Sequence, residues 1–188
     1  IATAFQNTSG LAELYKHKVV QTGTPVRANI VAVRKLGAQV LNTMSKIQLL
    51  VIGGSQGGGF SFATAALDSR IALCAPDIPF MADFVRYFQT SDWPEMDQWI
   101  IADEKRTWPR TLRTLSYFDT MNLAPLIRCP VFMGVGLQDP ICPPATNFTL
   151  YNRVPGKKEY RVYPFAGHRV GPQHPDLVFN WIRKHFGL

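Results

Sequence analysis

With 188 residues, 46% of them hydrophobic and 18% charged, the chain is long enough for one domain with a sizeable core and too well balanced in composition for a disordered segment. Its formal charge of +7 comes from lysines and arginines scattered along the sequence with no dense basic run, which excludes the electrostatic footprint of a nucleic-acid binder. No stretch approaches the roughly 20 apolar residues that a membrane helix needs, so neither nucleic acid nor membrane is expected as a partner.

In chain order, the first residue is Ile1, and no charged segment followed by an apolar one opens the sequence; this reads as processing, truncation or a fragment. Residues 1–23 show no clear hydrophobic period and read as loop or a broken segment. From Thr24 the signal sharpens. Thr24 suits a helix cap and Pro25 a first helical position, and Val26, Ile30, Val33, Leu36 or Gly37, and Val40 then recur on one face, which predicts an amphipathic helix. The apolar run "IQLLVI" (47–52) has the pattern of a strand buried on both faces of a parallel sheet. A glycine-rich turn comes next, and then the small residues of "FSFATAAL", which suit a helix packed close to that sheet.

The alternation repeats. "IALCA" (71–75), "VFMGV" (131–135) and "YRVYP" (160–164) read as buried strands, each followed by turn chemistry and a helix-compatible stretch. Strand-then-helix units in series predict the α/β class, a mostly parallel sheet flanked by helices, as one domain over residues 1–188. Phe80 to Ile127, with Tyr87, Trp93, Trp99, Trp108, Tyr117 and Phe118, is too long for a connection and predicts a helical cap inserted at about 80–127. The cysteines Cys74, Cys129 and Cys142 are odd in number and lack C-x-x-C spacing. They predict buried free thiols rather than a disulfide framework or a zinc cluster.

The chemistry centres on "GGSQG". A phosphate loop would place Lys and then Ser or Thr after its last glycine, whereas Phe60 comes after Gly59. Gly53-Gly54-Ser55-Gln56-Gly57 instead matches G-x-S-x-G between a strand and a helix, a turn that holds a serine out for attack. Side chains two residues before or after the serine are expected to collide with so sharp a turn.

A serine hydroxyl is a weak nucleophile and needs a base, and the base needs an acid to orient it. In this arrangement the chain order is Ser, acid, His. Asp139 comes after the strand ending at Val135, and His168 after the strand ending near Tyr163; both stand where open α/β sheets place their sites. His174 is the rival base. Asp77, Asp83 and Asp119 are rival acids that read as structural, and His17 and His185 read as surface residues.

"GGSQGGG", "DIPF" with "DF" soon after, "RTLSYFDTMNLAPLI", "VGLQDPICPPATNFTLYN" and "GKKEYRVYPFAGH" together resemble the acetyl xylan esterase and cephalosporin C deacetylase family of carbohydrate esterases, from about Lys46 to His168. The resemblance implies an α/β-hydrolase that removes acetyl groups from small carbohydrate-type substrates, with no metal or organic cofactor, as a homo-oligomer in a cytoplasmic setting, secretion being the alternative. It implies Ser55 as nucleophile, Asp139 as acid, His168 as base and the Gln56 backbone N–H as one oxyanion donor. Two departures stand out: Arg169 sits next to the histidine where the family has an acidic, glycine-rich loop, and only 54 residues precede Ser55. The strands and the second oxyanion donor that the family places upstream find no match in residues 1–45, so the chain reads as the C-terminal half to two-thirds of a hydrolase. A prolyl-oligopeptidase-like peptidase and a catalytically impaired assembly module are the competing readings.

Overall fold

The computed structural model describes residues 2–3, 20–21 and 49–187, which fall in two compact units, residues 1–47 and 48–188. In the first unit, β1 (Ala2–Thr3) pairs in parallel with β2 (Val20–Gln21). Two residues are too few to leave a period-2 pattern, which is why residues 1–23 read as loop. The helix expected from Thr24 lies outside the described residues, as does His17.

In the second unit four strands run parallel in the order β3 (Leu49–Gly54), β4 (Ile71–Asp77), β5 (Val131–Gly136) and β6 (Lys158–Tyr163). The crossovers are α1 (Gln56–Leu67) after β3 and α6 (Pro144–Arg153) after β5, and α7 (His174–Phe186) comes after β6. The α/β expectation is met, with strand ends shifted by one or two residues.

Alternation along the strands sorts side chains to two faces. On one face Val51, Cys74, Met133 and Val135 pack with Phe62 of α1 and Leu150 of α6. On the other, Leu73, Ala75 and Phe132 pack with Val178 and Trp181 of α7. The register between β3 and β4 slips at Leu49/Leu50, so that Leu49 faces Ile71 and Leu50 faces Leu73; the extra residue lets Ile71 and Cys74 share one face. Each fully buried large side chain, such as Phe62 or Leu150, adds about 1.5–3 kcal/mol.

Two strands are less buried than "IQLLVI" and "YRVYP" suggest. β6 is an edge strand among the described residues, paired only with β5, and Tyr160 is half exposed; Ile52 of β3 is also exposed. A strand with one neighbour presents its apolar residues at a margin that the helices do not fully cover.

Between β4 and β5 the chain forms α2 (Phe84–Thr90), α3 (Pro94–Ile101), α4 (Trp108–Leu115), α5 (Thr120–Leu123) and a 3₁₀ turn (Ala124–Leu126). Pro94 and Pro109 occupy first-turn positions, where a missing N–H costs nothing, and Glu95 and Asp97 complement the dipole of α3. The buried Asp119 carboxylate anchors this segment, accepting from the N–H groups of Asp83, Phe84 and Met121 at 2.9 Å each. Asp83 caps α2 through the Arg86 N–H. The rival acids Asp83 and Asp119 are thus engaged in building the helical segment.

Candidate active site

Ser55 sits between β3 and α1 at φ 56° and ψ −122°, a left-handed backbone that a non-glycine residue holds only under constraint. The constraint is visible. Its N–H donates to the Asp77 carbonyl (2.9 Å), and its own carbonyl accepts from Gly59 N–H (3.1 Å) and Phe80 N–H (2.9 Å). A Cβ at Gly53 would strike the Gly57 carbonyl, one at Gly58 would meet the Asp77 carbonyl at 2.7 Å, and one at Gly59 would strike the Phe80 carbonyl. At Gly57 a Cβ would meet nothing within 4 Å. The expected crowding on both sides of the serine therefore holds at Gly53 and not at Gly57. The close approach beyond the serine falls at Gly58 and Gly59, because α1 lies against the chain leaving β4.

Asp139 and His168 reach Ser55 from the loops after β5 and β6. His168 Nε2 lies 2.9 Å from Ser55 Oγ, and His168 Nδ1 lies 2.9 and 3.1 Å from the two Asp139 oxygens. The Asp139 side chain is fully buried, while that of His168 is 26% exposed. Asp139 Oδ1 also accepts from Ile141 N–H (2.8 Å) and Cys142 N–H (2.9 Å), so the same carboxylate organises its own turn and faces the imidazole. The loops meet through Gln138 N–H donating to the Ala166 carbonyl (2.9 Å). A Cβ at Gly136 would collide with the Gly167 carbonyl, and this glycine lets the His168 loop lie on the end of β5.

The other candidates sit elsewhere. His174 is fully buried at the start of α7, with Nδ1 2.7 Å from the Tyr163 hydroxyl and Nε2 2.6 Å from Asp77 Oδ1. His185 is exposed, its Nδ1 2.8 Å from the Trp181 carbonyl oxygen. Gln56 opens α1, so its N–H belongs to the first-turn donors that have no intrahelical partner.

Cys142 is a neighbour that sequence reading missed: its Sγ is 4.0 Å from Ser55 Oγ. Burial, with the Asp139 charge adding to it, pushes its thiol up to about 12, which leaves it a neutral lining group. Among the described residues, Asp139, Cys142 and His168 are the set whose ligand atoms cluster closely enough for a metal. Both imidazole nitrogens already face Asp139 and Ser55, so the set is not arranged around a metal. The three cysteines are free and buried.

The helical segment adjoins this site. Ser91, at the end of α2, contacts the Pro140 carbonyl at 3.5 Å, and Phe80, Tyr87, Phe88, Trp93 and Trp108 form a connected aromatic cluster. Trp99 is exposed and carries the Arg106 guanidinium 4.4 Å above its ring. A cavity of about 560 Å³ lies between Trp93, Met96, Trp99, Arg106 and Arg110. No helix among the described residues is long and apolar enough to cross a membrane.

The family model described as Acetyl xylan esterase (AXE1) matches residues 25–185. Acetyl esterase Axe7A of Xylanibacter ruminicola is 30% identical over 138 residues, which are 72% of this chain and 30% of that protein. Among solved structures, the acetyl xylan esterase of Paenibacillus sp. R4 is 39% identical with a TM-score of 0.67, covering 72% of this chain and 44% of that one. Acetyl xylan esterase 1 of Thermoanaerobacterium sp. JW/SL YS485 is 31% identical with a TM-score of 0.71, covering 83% and 52%. This chain thus spans about a third to a half of their lengths. Peptidases match at 12–17% identity, a likeness of fold alone. A further match of 57 residues, 30% of this chain, is 44% identical to a UDP-N-acetylglucosamine--N-acetylmuramyl-(pentapeptide) pyrophosphoryl-undecaprenol N-acetylglucosamine transferase of Paramagnetospirillum magneticum, covering 15% of it. The described sheet and its helices have the α/β-hydrolase fold, and the chain belongs to the acetyl xylan esterase family.

Proposed function

We propose that this chain carries the reacting groups of a serine esterase that hydrolyses acetyl esters of small carbohydrate-type substrates. The observation that carries the reading is the unbroken run of contacts from Asp139 through His168 to Ser55, each at 2.9 Å. An ionised carboxylate only accepts hydrogen bonds, so His168 Nδ1–H donates to Asp139 and Nε2 is left to accept the Ser55 proton. Ser55 Oγ attacks the acetyl carbonyl carbon as its proton passes to His168 Nε2, and the imidazolium that forms is stabilised by Asp139. The carbonyl oxygen gains negative charge and is met by the Gln56 N–H at the head of α1. As the intermediate collapses, the sugar hydroxyl leaves with the proton from His168. Water, activated by the same nitrogen, then releases acetate from the Ser55 ester. Every step uses side chains, the Gln56 backbone N–H and water, with no metal or organic cofactor.

The relatives at 30% identity or more that cover over two thirds of this chain are esterases, whereas the peptidases resemble the chain only in fold; this favours the ester over the peptide. The test is hydrolysis of p-nitrophenyl acetate and of acetylated xylo-oligosaccharides by the chain and by its Ser55→Ala variant. Acetate release that depends on Ser55 supports the reading, and release that survives the substitution sinks it.

A further inference from the structure

We propose that Tyr163, the buried His174 and Asp77 form a clamp that holds the His168 loop in place, which makes the three of them positioning residues for the base. The inference rests on the esterase reading above.

His168 lies in a loop bounded by Tyr163, the last residue of β6, and His174, the first residue of α7. The two ends are tied to each other by the contact of 2.7 Å between the Tyr163 hydroxyl and His174 Nδ1. With the hydroxyl donating to Nδ1, the ring's N–H is the one at Nε2, which faces Asp77 Oδ1 at 2.6 Å. That contact is close but off the hydrogen-bond direction, leaving both atoms buried without an aligned partner. It is an attraction between the ring dipole and the carboxylate rather than a directed bond. A fully buried imidazole is costly unless its polar atoms are matched, so an apolar residue would fill the same space at less cost.

The surroundings are cut to admit this cluster. Gly134 interrupts the otherwise bulky inner part of β5, and a Cβ there would meet Asp77 Oδ1 at 2.5 Å, Val170 at 2.7 Å and His174 at 2.9 Å. Gly171 lies flat on the Tyr163 ring, where a Cβ would come within 2.7 Å of Cδ1. The Asp139 side of the His168 loop is held by backbone bonds, Gln138 N–H to Ala166 and Leu137 N–H to Tyr163. The far side, residues 169–173, leads into His174. Asp77 faces both partners: its carbonyl accepts from the Ser55 N–H, and its carboxylate faces His174. One residue thus links the strand that supports the serine to the helix that ends the histidine loop. A displacement of about 1 Å in such a geometry can cost on the order of 100-fold in rate.

The experiment measures kcat and KM for p-nitrophenyl acetate, and the rate at which a fluorophosphonate labels Ser55, in the longest polypeptide that carries this chain. Tyr163→Phe, which removes one hydroxyl, is expected to lower kcat and labelling together by roughly 10-fold with KM changed less than about twofold. His174→Leu is expected to lose roughly 100-fold, and His174→Gln, whose amide reaches toward Asp77, to recover much of that. Wild-type kcat and labelling in Tyr163→Phe, with only a lower melting temperature, would show a purely structural cluster and overturn the proposal; that variant decides alone should His174→Leu fail to fold. Ser55→Ala separates the two readings. Activity that survives it overturns the esterase reading and the clamp with it, whereas activity abolished there but intact in Tyr163→Phe overturns the clamp alone.

Discussion

His168 Nε2 and Ser55 Oγ meet at 2.9 Å although 113 residues of chain separate them. The contact exists because three parallel strands, β3, β5 and β6, end at the same edge of the sheet and each delivers one residue there. If that convergence is catalytic, Ser55→Ala abolishes ester hydrolysis. Asp139→Asn lowers kcat by roughly 10³–10⁴, because an amide cannot hold the imidazole in the accepting tautomer. Steady-state rates on p-nitrophenyl acetate check both; an Asp139→Asn enzyme near wild-type rate would remove Asp139 from the chain of contacts.

The glycines around Ser55 are not equivalent. Gly53→Ala drives a methyl into the Gly57 carbonyl and is expected to cost about 1–3 kcal/mol or more, as overpacking does, and to lower the rate with it. Gly57→Ala meets open space in the first turn of α1 and is expected to be neutral or to stabilise by up to about 1 kcal/mol. Urea midpoints of the two variants read the contrast. Equal losses would mean that Gly57 is kept for a reason other than room.

The family resemblance implies a second oxyanion donor from a segment upstream of the serine's strand, which the sequence of residues 1–45 does not match. A polypeptide that extends this chain to the length of its relatives is therefore expected to hydrolyse p-nitrophenyl acetate roughly 100-fold or more faster than the 188 residues alone, the scale of one missing donor. Single-turnover rates of the two forms compare them directly. Equal rates would show that residues 1–45 already supply the donor.

Alkaline pH should weaken the fold. Burial holds the thiols of Cys74 and Cys129 above their ordinary value of 9.0 and that of Cys142 at about 12. A raised folded-state value means that the native chain keeps protons which the unfolded chain gives up. The associated stability is complete below about pH 9 and drains away as pH rises toward 12. Chemical denaturation at about pH 8 and about pH 10.5, on either side of the ordinary thiol value, should show the decline, and Cys142→Ala should flatten it. The phenols of Tyr87, Tyr151 and the half-buried Tyr163, also raised by burial, act in the same direction.

Self-association is expected through the helical segment, where Trp99, Ile101, Tyr117 and Phe118 are exposed on α3 and after α4. Light scattering over a wide concentration range should give a mass above the 21.1 kDa of one chain, and Ile101→Lys should lower it. A constant monomer mass for the unaltered protein would refute the expectation.

The meeting of Ser55, Asp139 and His168 at one edge of the sheet was legible in the sequence because each stands in a local pattern with a physical cause. An apolar run of that length becomes a buried strand, and the chain must turn at its end; G-x-S-x-G, "QDP" and "AGH" occupy those turns. The helical character of the segment between β4 and β5 was legible for the same kind of reason, since its length and aromatic content exceed what a connection holds. Exposure was less legible: "YRVYP" reads as buried, yet β6 has one neighbour among the described residues, and a strand's place in the sheet is not written within the strand. Nor does spacing reveal that Cys142 lies beside Ser55, or that His174 meets Tyr163 and Asp77 instead of the serine. Those contacts depend on which strands become neighbours and on where Gly134, Gly136 and Gly171 let backbones approach, and packing across the sheet decides them.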